Sequence, residues 1–348
     1  MINFIKIHNK LMIRKSSILI TGAGGEVGSE LIKILSDHQD INLVTLDLHP
    51  ISNKNSHLIS DQITGNILDI NLINQINLEF EIKEIYHLAA VLSTRAELSP
   101  KIAHDVNING TINLLELAMA QTRTQNKSVK FFFPSSIAVY GANSYKSAIL
   151  EKECLNPITI YGCNKLYAEK LGLYYSKYYN QLSGNHNLID FRSIRLPGLI
   201  SSKTIPSGGG TSDFIPEMWH SLKKNNTYEC FVESNTRIPF LAMPDAIKAI
   251  NQLMSISKNQ IKSRIYNITS FNPSPAEFFK AIKLYFKDST LSYNVNPVRQ
   301  NIVSSWPSDV NDSLAKNEWD WKPSYNLNDT IDKYLLPSIN SNNEDKND

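Results

Sequence analysis

The run Ile18-Leu19-Ile20-Thr21-Gly22-Ala23-Gly24-Gly25-Glu26-Val27-Gly28 sets a short apolar strand directly against a glycine-rich turn, inside which a helix opens. Glycine meets three needs there: a tight turn, approach of the backbone to a pyrophosphate, and close packing of helix on strand. The helix N-terminus adds unpaired N–H groups and the positive end of its dipole. Residues 31–35 continue that helix, and residues 43–46 read as the next strand, closed by Asp47. An acid at that strand end accepts hydrogen bonds from ribose hydroxyls and repels a 2′-phosphate, and neither Leu48 nor His49 is the arginine that a 2′-phosphate needs. The expected ligand is NAD, held by Gly22, Gly25, Glu26, Val27, Gly28 and Asp47.

Further along, the strand-like runs 84–88, 130–133 and 190–196 alternate with helical stretches, 108–120 among them, as βαβ units around a parallel sheet do. The expected fold is α/β, a Rossmann-like doubly wound parallel sheet with a smaller, irregular C-terminal substrate lobe. With 348 residues the chain has room for roughly two domains. The boundaries fall at 1–15 for an N-terminal extension and 16–196 for the NAD-binding domain, with later strands from about 237–268 returning to it. Residues 197–236 and 269–337 form the substrate lobe, and 338–348, nearly all polar, form a disordered tail.

Charge and composition remove several classes of function. Lys and Arg number 35 against 33 Asp and Glu, a formal +2, so no global field draws nucleic acid or an anionic membrane. The chain is 42% hydrophobic and 20% charged, as a folded protein is, and no apolar run reaches the ~18 residues of a membrane span. Cys154, Cys163 and Cys230 lack the spacing of a zinc site or a disulfide framework, so no metal is expected and a reduced compartment, the cytoplasm, fits best. The first fifteen residues carry Lys6, Lys10, Arg14 and Lys15 without an acid. They read as an extended start ahead of Met12, with a mitochondrial targeting segment as the alternative.

The chemistry gathers at Tyr161-Gly162-Cys163-Asn164-Lys165, at the start of a helix expected to reach Tyr179. At i and i+4 the phenol and the ammonium share one helix face, and a nearby positive charge favours the phenolate, making Tyr161 a candidate general base. Ser136 follows the 130–133 strand at the carboxyl end of the sheet, where ligands of doubly wound folds collect, and can donate to a substrate oxygen. His87 reads as a packed imidazole, Cys163 as a small helix residue, and Glu151, Lys152 and Glu153 as a solvated loop. Tyr174, Tyr175, Tyr178 and Tyr179 suggest helix packing or an oligomer face.

Together with the glycine loop, Ser136, Tyr161 and Lys165 resemble the catalytic set of the extended short-chain dehydrogenase/reductases, the superfamily of NAD-dependent epimerases and dehydratases. His87-Leu88-Ala89-Ala90 and Asn107-Ile108-Asn109-Gly110-Thr111 extend the likeness. The resemblance implies that Asn66, Ile67, Leu88, Ala89, Ala90, Asn107 and Pro197 also border the cofactor, and that the protein is a homodimer through helices 108–120 and 160–179.

Within that superfamily, residues 195–201, 206–213, 236–239 and 305–307 resemble the short-chain type of L-threonine 3-dehydrogenase. That likeness implies a small-molecule substrate, L-threonine, held by Ser93, Thr211, Ser212, Asp213 and Trp306 together with Ser136 and Tyr161. Asp213 suits an ammonium group on charge alone. Ser212, where the family more often has threonine, Ser207 before the glycine triplet, and Asn66, where an aspartate is common, depart from the pattern. The alternatives are a nucleotide-sugar epimerase or dehydratase, with Arg237 on a diphosphate, and a non-catalytic dinucleotide-sensing protein.

Overall fold

The computed structural model describes residues 14–37, 41–51, 53–141, 148–182, 188–203 and 210–339. Its main sheet holds seven parallel strands in the order β10-β6-β5-β4-β1-β2-β3. These are β1 (Lys15–Thr21), β2 (Asn42–Asp47), β3 (Asp61–Thr64), β4 (Phe80–His87), β5 (Lys130–Ser136), β6 (Asp190–Leu196) and β10 (Ile265–Asn267). The order reverses between β1 and β4, and that reversal opens the crevice in which such sheets bind ligands. Helices cover both faces, which is why the centres of β1, β2, β5 and β6 are buried residue after residue and not alternately, with Arg192, Ser193 and Arg195 of β6 buried among its apolar side chains.

One buried cluster packs the Glu26–Leu35 and Met243–Ser255 helices on one face of the sheet, and another packs the Thr111–Gln125 and Ile160–Lys177 helices on the other. A third forms the core of the C-terminal lobe around Phe214, Met218, Trp219, Phe240 and Trp306. That lobe carries two small parallel sheets, β7 (Gly198–Ile200) with β9 (Phe240–Ala242), and β8 (Thr227–Cys230) with β11 (Thr290–Tyr293).

Several boundaries differ from the sequence reading. Lys15 already belongs to β1, and Arg14 donates to the carbonyl of Asn77 at 3.0 Å, so the fold begins inside the expected extension. The rest of that stretch, 1–13, lies outside the described residues, as do 340–348 of the expected tail and Pro206, Ser207, Gly208 and Gly209. Of the strands expected to return to the large sheet after residue 237, only β10 joins it; β9 pairs with β7. The expected 108–120 helix begins as a π-helix at Asp105–Gly110 before the α-helix Thr111–Gln125, and the Tyr161 helix ends at Lys177.

Candidate active site

The carboxyl ends of β1 to β6 deliver the expected site residues to one rim of the sheet. Gly22 stands at φ +68, a conformation L side chains rarely adopt, and a Cβ there would lie 2.5 Å from the Ala89 amide nitrogen. A Cβ on Gly28 would lie 2.7 Å from the carbonyls of Gly22 and Ala23, so the helix fits on the strand only through glycine. Gly24, Gly25 and Glu26 face outward at the start of the helix. Beside them a cavity of ≈ 290 Å³ is lined by Ala23, Gly24, Gly25, Ser29, Asp47, His49, Pro50 and Ile51. The Asp47 carboxylate accepts from the Gly24 N–H at 2.9 Å and the His49 N–H at 3.2 Å, which fixes it on the cavity wall. A glycine cradle, a helix N-terminus and an anchored acid on one cavity suit a dinucleotide without a 2′-phosphate.

The loop after β4, with Leu88, Ala89 and Ala90, closes the other side of this crevice. Asn107 holds it in place: its amide accepts from the Val91 N–H at 2.8 Å and donates to the Val91 carbonyl at 3.1 Å, reaching Asn164 at 3.4 Å. The Asn107 side chain, expected to border the cofactor, is thus occupied in pinning that loop, from a π-turn of the kind that recurs at functional sites. Asn66 is exposed, with its side-chain oxygen bonded to the Leu68 N–H, while Ile67 is buried against Gly110. Pro197 is buried between β6 and β7.

His87 lies between Thr21 and Thr111, 2.8 and 2.9 Å from their hydroxyls. Thr111 gives its own hydrogen to the Asn107 carbonyl, so Nε2 of His87 donates to Thr111 and Nδ1 accepts from Thr21. Burial holds this neutral imidazole's pKa down at about 3, as befits a packing residue.

Tyr161 and Lys165 enter the rim on the Ile160–Lys177 helix, whose first turn is capped by the Thr159 hydroxyl on Gly162 N–H and by the Glu97 carboxylate on Ile160 N–H. A Cβ at Gly162 would run into the Ala138 carbonyl, so glycine lets the helix settle directly on the turn that follows Ser136. The Ser136 hydroxyl accepts from the Ala138 N–H at 3.1 Å, leaving its hydrogen to be donated. Lys165 is buried, donates to the Pro134 carbonyl at 2.7 Å, and lies 5.5 Å from the centre of the Tyr161 ring.

The pKa directions depart from the simple expectation. Burial pushes the Tyr161 phenol well above its ordinary value, and it pulls Lys165 down to about 7 against the opposing field of Glu169. Desolvation therefore outweighs the pairing of the two, and the ammonium is spent on a carbonyl.

Ser93 and Thr211, 118 residues apart, meet here: the Thr211 N–H and hydroxyl lie 3.3 and 3.2 Å from the Ser93 hydroxyl. Asp213 heads the Phe214–Asn225 helix and folds its carboxylate back onto the Gly210 N–H at 2.8 Å, with Ser212 hydrogen-bonded to it. Burial raises the Asp213 pKa against that bond. Trp306 is 6% exposed and belongs to the apolar core of the lobe. Arg237, the candidate diphosphate anchor, pairs with Glu277 and donates to the Asn272 carbonyl at 2.8 Å.

A family model described as the NAD dependent epimerase/dehydratase family matches residues 18–269. The chain belongs to that family. An uncharacterized epimerase/dehydratase of Staphylococcus aureus (strain USA300) is 33% identical over 338 residues, covering 95% of this chain and 98% of its own. An L-threonine dehydrogenase from Clostridium difficile superposes with a TM-score of 0.81 at 33% identity, over 94% of this chain and 99% of its own. A monomeric L-threonine 3-dehydrogenase from a metagenome gives 0.81 at 35% identity, over 93% and 99%. The protein is accordingly an NAD-dependent enzyme of the oxidoreductase and epimerase kind, with NAD as its cofactor. No helix among the described residues is long and apolar enough to cross a membrane.

In this family member a buried polar network stands behind the catalytic rim, and the sequence reading missed it. Glu169, one turn beyond Lys165, accepts from both Arg195 nitrogens at 2.8 and 2.7 Å and from the Ser135 hydroxyl at 2.5 Å. Arg195 also donates to the Tyr140 hydroxyl and to the Glu151 carbonyl, and the Glu151 carboxylate accepts from the Asn267 N–H. Glu151 is thus half-buried scaffold and not part of a solvated loop, because its chain passes over the open end of β6 and β10. An acid at i+4 from Lys165 on the inward helix face was the available signal.

Proposed function

We propose that the enzyme oxidises the C3 hydroxyl of L-threonine to 2-amino-3-oxobutanoate, with Tyr161 as general base. The observation that carries this is the meeting of Ser93 and Thr211 two residues from Asp213: two hydroxyls and a carboxylate, a set sized for a small zwitterion. The nucleotide-sugar alternative relied on Arg237, whose guanidinium is engaged by Glu277 and Asn272. The Tyr161, Lys165 and Ser136 set is complete, which weighs against a sensing protein without catalysis.

Bound NAD would supply the hydride acceptor for C3. Tyr161 removes the hydroxyl proton, and Ser136 donates to the same oxygen and holds it in line. Lys165, which holds the Pro134 carbonyl in the free enzyme, would hold the ribose hydroxyls of the cofactor, and its charge would support the phenolate. Asp213 releases the Gly210 N–H to meet the substrate ammonium.

Thr211→Ala and Asp213→Asn are expected to lower kcat/KM for L-threonine by roughly 10- to 100-fold, the value of a charge-assisted contact of ~1.5–3 kcal/mol, while NAD affinity stays unchanged. Equal threonine kinetics in both variants sinks the assignment. The domain division read from the sequence and a homodimer belong to the same proposal. Tyr167, Tyr174 and Tyr178, spaced i, i+7 and i+11 on the Ile160–Lys177 helix and its end, are 50, 41 and 54% exposed and present an apolar stripe to a second copy.

A further inference from the structure

Behind the Gly210–Asp213 turn lies a group of charges that the catalytic reading leaves unused. Arg299, on the Pro297–Ser304 helix, donates from Nη2 to the Gly210 carbonyl at 3.0 Å and lies 3.8 Å from the Glu217 carboxylate. Its guanidinium rests on the Phe231 ring, 3.2 Å from the centroid. Its Nε is buried and has no hydrogen-bond partner among the described residues.

Both carboxylates feel it. Burial raises the pKa of Asp213 and of Glu217, and the Arg299 charge opposes the rise at each. A Cβ at Gly210 would strike the Asp213 carboxylate, so glycine is what lets that carboxylate fold back onto the turn. Its outer side is held by the single guanidinium, clamped between an aromatic face and a backbone carbonyl. A planar fork stacked on a ring is a fixed object, which a lysine cannot reproduce. With two acids and one cation, the group carries one negative charge in excess whenever both acids are ionised. That excess leaves the acid nearer the substrate available to a second cation.

We propose that Arg299 is the positioning residue for substrate, setting the turn that carries Thr211 and Asp213 toward the ammonium of an amino acid. This rests on the threonine reading for its ligand, but the geometry of the turn is testable without any substrate.

The experiment compares wild type, Arg299→Ala and Arg299→Lys, first by hydrogen exchange of the free enzyme and then by kinetics. In Arg299→Ala the 210–213 segment is expected to exchange at least about 10-fold faster while the Gly22 to Gly28 segment is unchanged. KM for L-threonine is expected to rise about 10-fold or more, with a smaller change in kcat, an unaltered Kd for NAD, and partial recovery on adding dilute guanidinium. Arg299→Lys should fall between, because it keeps the charge but loses the stacked fork. Unaltered exchange at 210–213 overturns the positioning role whatever the substrate is. Faster exchange with an unchanged KM for threonine overturns its part in specificity. A wild type that ignores threonine refutes the substrate reading and with it the ammonium role of Asp213, while the exchange result still decides whether Arg299 sets the turn.

Discussion

Tyr161 and Lys165 show how far a pair of side chains at one spacing can mislead about a pKa. Their i,i+4 relation brings the ammonium within 5.5 Å of the ring, yet burial raises the phenol and lowers the amine, and the amine bonds to Pro134. In the proposed mechanism the phenolate is the base, and burial holds its formation to high pH, so kcat/KM should climb as pH rises and fall away on the acid side. Tyr161→Phe removes only the hydroxyl and should cut turnover by ~10²-fold or more and abolish that slope, with NAD binding intact. A variant that retains near-normal turnover and the same pH profile removes Tyr161 from the mechanism. The spacing of the pair was legible in the sequence. The carbonyl that takes the ammonium was not, since Pro134 comes from another strand 31 residues away.

Between the residues and the molecule stand the elements that hold the rim together. The Ile160–Lys177 helix sits where it does because Gly162 lets it touch the Ala138 carbonyl and because Glu97 and Thr159 cap it. Gly162→Ala should therefore destabilise the fold by about 1–3 kcal/mol in a denaturant titration, as overpacking does, and lower kcat more than NAD affinity by displacing the neighbouring Tyr161. Wild-type stability with wild-type kcat in that variant would show that the helix has slack. Unlike β3, Asp61-Gln62-Ile63-Thr64 at the sheet edge, strands β1, β2, β4 and β5 were readable because their centres are short apolar or β-branched runs with marked breaks between them. The opening π-turn at Asp105–Gly110 was not, for it depends on Asn107 reaching Val91 across the crevice. Nor were the Glu169, Arg195 and Glu151 bonds, since which polar residues of separate elements meet in the interior is settled by the assembled sheet.

At the scale of the whole molecule, the reversal between β1 and β4 places the cofactor crevice, and the C-terminal lobe brings Thr211 to Ser93 over it. The sequence pattern carried the doubly wound sheet and the glycine loop after its first strand, though not the strand order. For the lobe it carried motifs without an arrangement, because two small sheets and short helices leave little periodicity to read. The tyrosine stripe divides in the structure: Tyr175 and Tyr179 stack at 4.6 Å and bond Glu116, while Tyr174 and Tyr178 turn outward. The dimer proposal therefore predicts that Tyr174→Glu with Tyr178→Glu converts a dimeric mass in light scattering to a monomeric one without changing Tm much. A wild type that is monomeric, as one structural neighbour is described to be, refutes it.

The substrate is the central claim, and initial rates of NAD reduction with L-threonine, set beside NAD-dependent conversion of UDP-sugars by the same enzyme, test it most directly. The account predicts NADH formation that saturates with L-threonine and no turnover of the sugar nucleotides. Interconversion of a UDP-sugar with no oxidation of threonine would contradict it.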